Sequence, residues 1–170
     1  MISKAELNDS ETLAALVNSA YRGEHAKKGW TTEADLIEGT RTDTAALKDI
    51  IKKDDTTILK YERDGKIIGC VELKIVDGRL YLGMLTVEPS IQGSGIGKEM
   101  LRAAEEFGKT RGCRSVYMTV ITIRKELIDW YKRHGYADTG ERKPFHFNDP
   151  RFGQPKQKLE FLVLEKKLQV

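Results

Sequence analysis

Two Asp-Gly pairs, Asp64-Gly65 and Asp77-Gly78, bracket the run Lys66 to Val76. Asp-Gly supplies the positive backbone torsions of a tight hairpin turn, so three runs are tied into an antiparallel meander: Thr57 to Arg63, Lys66 to Val76, and Arg79 to Val87. The third run stops at Glu88-Pro89, because proline has no N–H for a ladder. A meander has two faces to cover, and the flanking sequence supplies helices. Leu13, Leu16, Val17, Ala20 and Tyr21 recur at helical spacing over residues 10–22, after an N-cap at Asn8 or Asp9. A second helix starts from Asp43 and buries Leu47, Ile50 and Ile51, and a third carries Ile96, Met100, Ala103, Ala104 and Phe107 between Gly95 and Gly112. Gly112 takes the position after the helix end where a left-handed residue is favoured.

The remaining elements follow the same logic. Ser115 to Ile123 is rich in Val, Ile, Thr and Tyr and is expected to be a buried strand. A helix over about 124–133 ends at His134-Gly135; Met1 to Leu7, Tyr136 to Gly140 and Leu159 to Lys166 are further strands. The expected order is β-α-α-β-β-β-α-β-α-β-β, a layered α/β fold with an antiparallel start and a helical crossover. Residues 23–42 form a long irregular connection, which inside a compact domain is usually functional.

Composition narrows the function classes. The 170 residues suggest one domain, residues 1–170, with a core of its own. Lys and Arg number 29 against 26 Asp and Glu, a net charge of +3 that does not form the concentrated basic face of a nucleic-acid binder. No apolar run approaches the ~20 residues of a membrane span. The start Met1-Ile2-Ser3-Lys4-Ala5-Glu6 has no apolar core of a secretory signal, so a cytoplasmic location is expected. Cys70 and Cys113 have no metal-type spacing and are expected to be small buried hydrophobes. His25, His134 and His146 are too scattered to suggest a metal cluster, and no metal is expected.

The chemistry signal is the turn from the third meander strand into the third helix: Val87-Glu88-Pro89-Ser90-Ile91-Gln92-Gly93-Ser94-Gly95-Ile96-Gly97-Lys98. Glycines allow close backbone approach to a ligand, and the free N–H groups of a helix N-terminus attract an anion. Three phosphate-binding patterns compete. A P-loop would need Gly at 92 and Ser or Thr at 99, where Gln92 and Glu99 stand. A dinucleotide fingerprint counted from Gly93 puts its third glycine on Lys98, and counted from Gly95 puts it on Met100. The pattern that fits is Q-x-x-G-x-G, as Gln92, Gly95 and Gly97. A glycine-rich turn without a ligand is the plain alternative.

That loop resembles the acyl-coenzyme A loop of the GNAT superfamily of N-acyltransferases. Trp130-Tyr131-Lys132-Arg133-His134-Gly135-Tyr136 resembles a second segment of the same superfamily, in the same order and on the same kind of element. The resemblance implies a twisted mixed sheet of six or seven strands with about four helices, whose central strands splay apart. It implies acetyl transfer from acetyl-CoA to a primary amine by direct attack through a tetrahedral intermediate, with no covalent enzyme intermediate.

By that resemblance the backbone across Gln92, Gly93, Ser94, Gly95, Ile96, Gly97 and Lys98 would hold the pyrophosphate, and Leu85, Thr86 and Val87 would pair with the pantetheine arm. One of those strand N–H groups could serve as an oxyanion donor. Tyr131 matches the general acid that protonates the leaving sulfur; as a plain core aromatic it would follow Leu127 by one turn. Many relatives have Asn seven residues before that tyrosine, and here the position is Arg124, which could bind pantetheine or phosphate instead. Glu72, on the second meander strand, is the candidate general base or else an outward-facing carboxylate. Trp30 and Glu33, in the long connection, would line the acceptor site. The acceptor would be a small-molecule or peptide amine, with neither nucleic acid nor membrane as partner and with a homodimer left open. A non-catalytic acyl-CoA-binding module on the same fold is the competing class.

Overall fold

The computed structural model describes residues 1–21, 37–38, 41–144, 154–155 and 159–169, with backbone alone at 37–38 and 154–155. In chain order the elements are β1 (Ile2–Lys4), α1 (Ser10–Tyr21), β2 (Ile37–Glu38), α2 (Thr44–Lys52), β3 (Thr56–Arg63), β4 (Lys66–Val76), β5 (Arg79–Val87), α3 (Ile96–Thr110), β6 (Ser115–Ile121), α4 (Lys125–Arg133), β7 (Ala137–Pro144), β8 (Gln154–Pro155) and β9 (Glu160–Lys167). Seven strands form one sheet in the order β1-β3-β4-β5-β6-β9-β7, and β2 pairs with β8 in a separate two-stranded ladder. All pairings within the large sheet are antiparallel except β5 with β6.

Both Asp-Gly turns form as expected. Asp64 and Gly65 have φ of 53° and 77°, and Asp77 and Gly78 have 51° and 76°, the left-handed pair that matches strand twist. Gly112 ends α3 with φ 74°. Several boundaries differ from expectation. The first strand, expected over Met1 to Leu7, covers Ile2–Lys4, and the strand expected to reach Ile123 ends at Ile121. The strand expected to end at Gly140 runs on to Pro144, because Gly140, at φ 87°, turns inside a bulge against β9 instead of closing the strand. Before α1, Asn8 and Asp9 belong to a single turn of 3₁₀ helix, and Asp9 closes a reciprocal capping box with Glu6.

The helices cover the two faces of the sheet. On one face Leu47 of α2 and Leu13, Val17 and Ala20 of α1 pack on Ile58 and Cys70. On the other, Ile96, Met100, Leu101 and Ala104 of α3 and Leu127, Ile128 and Tyr131 of α4 pack on β4, β5 and β6. Burial of each large aliphatic side chain contributes about 1.5–3 kcal/mol, so the two cores hold the helices firmly to the sheet. Gly69 sets the height of α3: a Cβ there would lie 2.9 Å from Met100 Sδ and 3.1 Å from Thr86 O. A side chain at 69 would require Met100 to move and would crowd the Thr86 carbonyl of β5.

Candidate active site

The site begins with a failure of pairing. β5 and β6 are in register only at Leu80–Val116 and Tyr81–Tyr117, beyond which the two parallel strands separate. A bulge in β5 contributes to this. Opposite β4 the register changes between Cys70–Thr86 and Glu72–Gly83, leaving one extra residue in β5. Met84, at φ 54°, carries the kink. Leu80 and Leu82 face α3, Met84 faces α1, and Leu85 and Val87 face α3 again. The strand is therefore re-phased just where it leaves β6.

The resulting cleft encloses about 170 Å³ and is lined by the diverging segments Tyr81–Leu85 and Met118–Ile121, closed by Tyr21, Arg41, Arg124, Leu127, Tyr131 and Phe161. On the β5 edge the carbonyls that have lost a strand neighbour accept from side chains. Tyr21 Oη donates to Leu85 O at 2.6 Å, and Gln92 Nε2 donates to Val87 O at 2.9 Å. Glu88 N donates to Ile68 O of β4 at 2.9 Å, so strand alternation turns the Val87 N–H toward the open side. Thr86, fully buried, spends its hydroxyl on Met84 O at 2.8 Å and thereby braces the bulge.

Tyr131 is 5% exposed and packs edge-to-face on Trp130 at 5.1 Å and on Tyr136 at 5.8 Å between ring centroids. Its ring belongs to the core, yet its side chain lines the cleft. Its hydroxyl forms no hydrogen bond among the described residues. Burial raises the phenol above its ordinary range, with Tyr21 nearby adding to the shift and Arg124 opposing it. Arg124 caps the start of α4 and lines the same cleft.

At the glycine-rich turn, Gly93 and Gly95 have φ of 93° and 89°, and a Cβ built on either would meet nothing within 4 Å. Open space around left-handed glycines, next to a helix whose N-cap has no capping side chain, is the form of an anion cradle. The N–H groups of Ile96, Gly97 and Lys98 open α3 without intrahelical partners. Ile96 contributes backbone only, since its side chain is 1% exposed in the core. Gly97 packs beside α4, and a Cβ built there would make ordinary contact with Trp130 Cζ2 at 3.5 Å. Ser94 Oγ donates to Ile91 O at 2.7 Å and shapes the turn, while Lys98 extends into solvent beside it. A groove of about 290 Å³ runs from Val87 along these glycines to Trp130 and His134. On β5 the cleft ends at Leu85 and this groove begins at Val87, two residues further along the strand, so the residues present fit a long ligand with a diphosphate in the middle.

Glu72 does not line the cleft. It lies on β4 opposite Gly83, half-buried on the sheet face that carries Cys70. Burial raises its carboxyl above the ordinary carboxylate range, opposed by the charges of Arg41, Lys53 and Lys74. Gly83 matters to this neighbourhood: a Cβ there would lie 2.8 Å from Tyr81 Cε2, so the Tyr81 ring occupies the space a side chain would take. Trp30 and Glu33 lie outside the described residues. Tyr21, Arg41, Tyr81 and Phe161 enter the site with no motif to announce them. In the sequence Tyr21 is one more member of the apolar face of α1, and its hydroxyl acquires a role only through Leu85. Cys70 is fully buried and its thiol is pushed up to about 12, which excludes a thiolate there at neutral pH. Among the described residues no group of acidic, His and Cys side chains has metal-binding geometry, and no helix is long and apolar enough to cross a membrane.

Comparison with known proteins agrees with this architecture. The family model described as acetyltransferase (GNAT) family matches residues 13–136. An acetyltransferase of Agrobacterium fabrum is 29% identical over 92 residues, 54% of this chain and 66% of that protein. Streptothricin acetyltransferase of Streptomyces lavendulae is 29% identical over 89 residues, covering 51% of this chain and 47% of that protein. The human N-acetyltransferase 8B is 28% identical over 123 residues, covering 68% and 53%. The matched stretches thus span from about half to two thirds of those relatives. Among solved structures, the ribosomal-protein-S18-alanine N-acetyltransferase of Escherichia coli superposes with a TM-score of 0.75 at 12% identity, over 100% of this chain and 94% of that one. The PaiA N-acetyltransferase of Thermoplasma acidophilum, in complex with coenzyme A, superposes with a TM-score of 0.70 at 21% identity over 98% of each chain. At these identities the likeness establishes the fold.

Proposed function

The chain belongs to the acetyltransferase (GNAT) family, and on that premise we propose that it transfers an acetyl group from acetyl-CoA to a primary amine by direct attack, with no covalent enzyme intermediate. Residues 1–170 act in this reading as one catalytic domain. The observation that carries it is the splay of β5 from β6, which opens a cleft containing the unbonded Tyr131 hydroxyl and leads into the glycine cradle of α3.

Each group has a task. The N–H groups from Gln92 to Lys98 hold the pyrophosphate of the donor, where Gly93 and Gly95 leave room for it. The β5 edge at Leu85–Val87 takes the place of a lost strand partner for the amide groups of the pantetheine arm, and Arg124 contacts that arm or its phosphate. The outward N–H of Val87 is a donor for the thioester carbonyl as negative charge develops on oxygen. Glu72, which does not line the cleft, accepts a proton from the acceptor ammonium through water, and its raised pKa makes it a stronger base than an exposed glutamate. The freed amine attacks the carbonyl carbon, and Tyr131 gives its proton to the departing sulfur. The phenol is a weaker acid than an exposed tyrosine, but the leaving thiolate is also a stronger base in a dry cleft. The same desolvation holds the buried Cys70 thiol at about 12.

Two measurements test this reading. Calorimetric titration with CoA, ATP and NAD should give binding for CoA alone. Incubation with acetyl-CoA and an amine panel should release free thiol. CoA binding without thiol release from any amine would favour a non-catalytic acyl-CoA-binding module, and binding of ATP or NAD in preference to CoA would overturn the loop assignment.

A further inference from the structure

The cleft has a closed end as well as an open one. β5 and β6 are paired at Leu80–Val116 and Tyr81–Tyr117 and part beyond them, so the gap is narrowest just past Tyr81 and widens toward Leu85. A donor whose phosphates sit at the start of α3 enters at the wide end. It runs back along β5, since the groove at the glycines begins at Val87 and the cleft lies on Tyr81–Leu85. The acyl chain bonded to the thioester carbon then points at the narrow end. The described lining there is Leu82 and Met118, both buried in the core under α3 and α4, and Tyr81, which strand alternation places on the opposite face of the sheet from Leu82.

The Tyr81 ring is seated by a glycine. Gly83 is two residues along on the same face of β5, and a Cβ built on it would lie 2.8 Å from Tyr81 Cε2, 3.0 Å from its Oη and 3.1 Å from its Cζ. Gly83 does not have a positive φ, so its torsions do not call for glycine; the close approach of the ring does. On its other side the ring meets Tyr117 edge-on, with centroids 5.5 Å apart. Tyr117 in turn lies under the Arg79 guanidinium at 4.2 Å, and Arg79 Nη1 is 3.5 Å from Glu165 of β9. The ring is thus held between the Gly83 backbone and a second, supported ring, as a wall of the cleft.

Resting on the donor placement in the transferase reading above, we propose that the narrow end of the cleft is the acyl pocket and that Tyr81, seated on Gly83, restricts it to short acyl groups. A cleft of about 170 Å³ has to hold the thioester, the acyl chain and the attacking nitrogen together. Each added methylene has to advance between Leu82, Met118 and the Tyr81 ring, where the strands close into a paired ladder and leave no further depth. An apolar pocket of fixed size discriminates by about 10- to 200-fold for one methylene it does not accommodate.

The test compares acetyl-, butyryl- and hexanoyl-CoA, by calorimetric affinity and by thiol release with the amine panel. The parent should favour acetyl-CoA over butyryl-CoA by at least about 10-fold in kcat/KM and bind butyryl-CoA more weakly, with hexanoyl-CoA poorer again. Tyr81→Val removes the ring while keeping a strand-forming residue, and should bring the acetyl-to-butyryl ratio to within a few-fold of one. Tyr81→Phe retains the ring and should retain the preference. Equal use and equal binding of the three donors by the parent overturn the inference and leave the transferase reading standing. An acetyl preference that survives in folded Tyr81→Val overturns the role of Tyr81. Acyl-CoA binding without thiol release from any amine overturns the transferase reading, and the three affinities then decide the acyl limit by themselves. Failure to bind any of the three overturns both.

Discussion

Replacing Tyr131 by Phe separates chemistry from packing, because the structure places its ring and its hydroxyl in different environments. The ring is 5% exposed and held between Trp130 and Tyr136, so truncation to Ala would cost about 3–5 kcal/mol as a buried aromatic lost. Phe keeps that packing. The hydroxyl bonds to nothing among the described residues, so its removal orphans no partner. A desolvated hydroxyl without a hydrogen bond itself costs about 1–3 kcal/mol, so the variant should be as stable as the parent or more so. For a chain of this length that corresponds to a melting temperature unchanged or raised by a few degrees, about 2–4 °C per kcal/mol. If the hydroxyl protonates the leaving sulfur, kcat should fall by about 10²–10⁴, roughly 3–5 kcal/mol of barrier. The two readouts therefore move independently, stability level or up and turnover steeply down. Thermal melting together with thiol release under saturating donor and acceptor measures both. A thioester with a more acidic leaving thiol should recover part of the rate. Because burial holds the phenol protonated well beyond its ordinary pKa, no alkaline decline in kcat from this group should occur up to about pH 10. Near-parental turnover in the Phe variant, with chemistry rate-limiting, would refute the role. A drop in melting temperature of several degrees would refute the account of an unbonded hydroxyl.

Gly95→Asp forces a side chain onto a left-handed backbone and sets a carboxylate opposite phosphate; the fold should lose about 1–2 kcal/mol while CoA binding by calorimetry disappears, and unchanged affinity would mean the cradle lies elsewhere. Glu72 has a folded-state pKa raised by burial, so the folded chain binds its proton more tightly than the unfolded chain does. Stability therefore falls as pH rises from about 4.5 through the raised value, by about 1.4 kcal/mol for every tenfold by which folding tightens that proton. Glu72→Gln should remove that decline: the variant should exceed the parent in denaturant stability at pH 8 and match it near pH 4. The same variant should also lose the rising limb of the kcat/KM profile, and a parent whose stability difference from the variant is flat over this range would contradict the burial assigned to Glu72.

Much of the fold was legible because its signals are local. Asp64-Gly65 and Asp77-Gly78 each encode a hairpin within four residues, and the Gln92–Lys98 turn carries Gly93 and Gly95 where the backbone goes left-handed, so a meander feeding a glycine-rich helix start follows from torsional chemistry alone. The Gln92-Gly95-Gly97 spacing and the segment around Tyr131 identified the family. The site between them was not legible. Nothing in the run Arg79–Val87 announces that Met84 takes a positive φ and re-phases the strand, because a bulge arises from competition between two ladders. Tyr21, Arg41 and Tyr81 belong to three separate stretches of chain and carry no pattern linking them. Only packing brings the Tyr21 hydroxyl to Leu85, clamps Arg41 through Asn18, and lays the Tyr81 ring over Gly83. Local chain chemistry determined which main elements form and where the glycine-rich turn opens α3; the gap between β5 and β6, and the side chains that line it, come from long-range contacts that no short window of residues encodes.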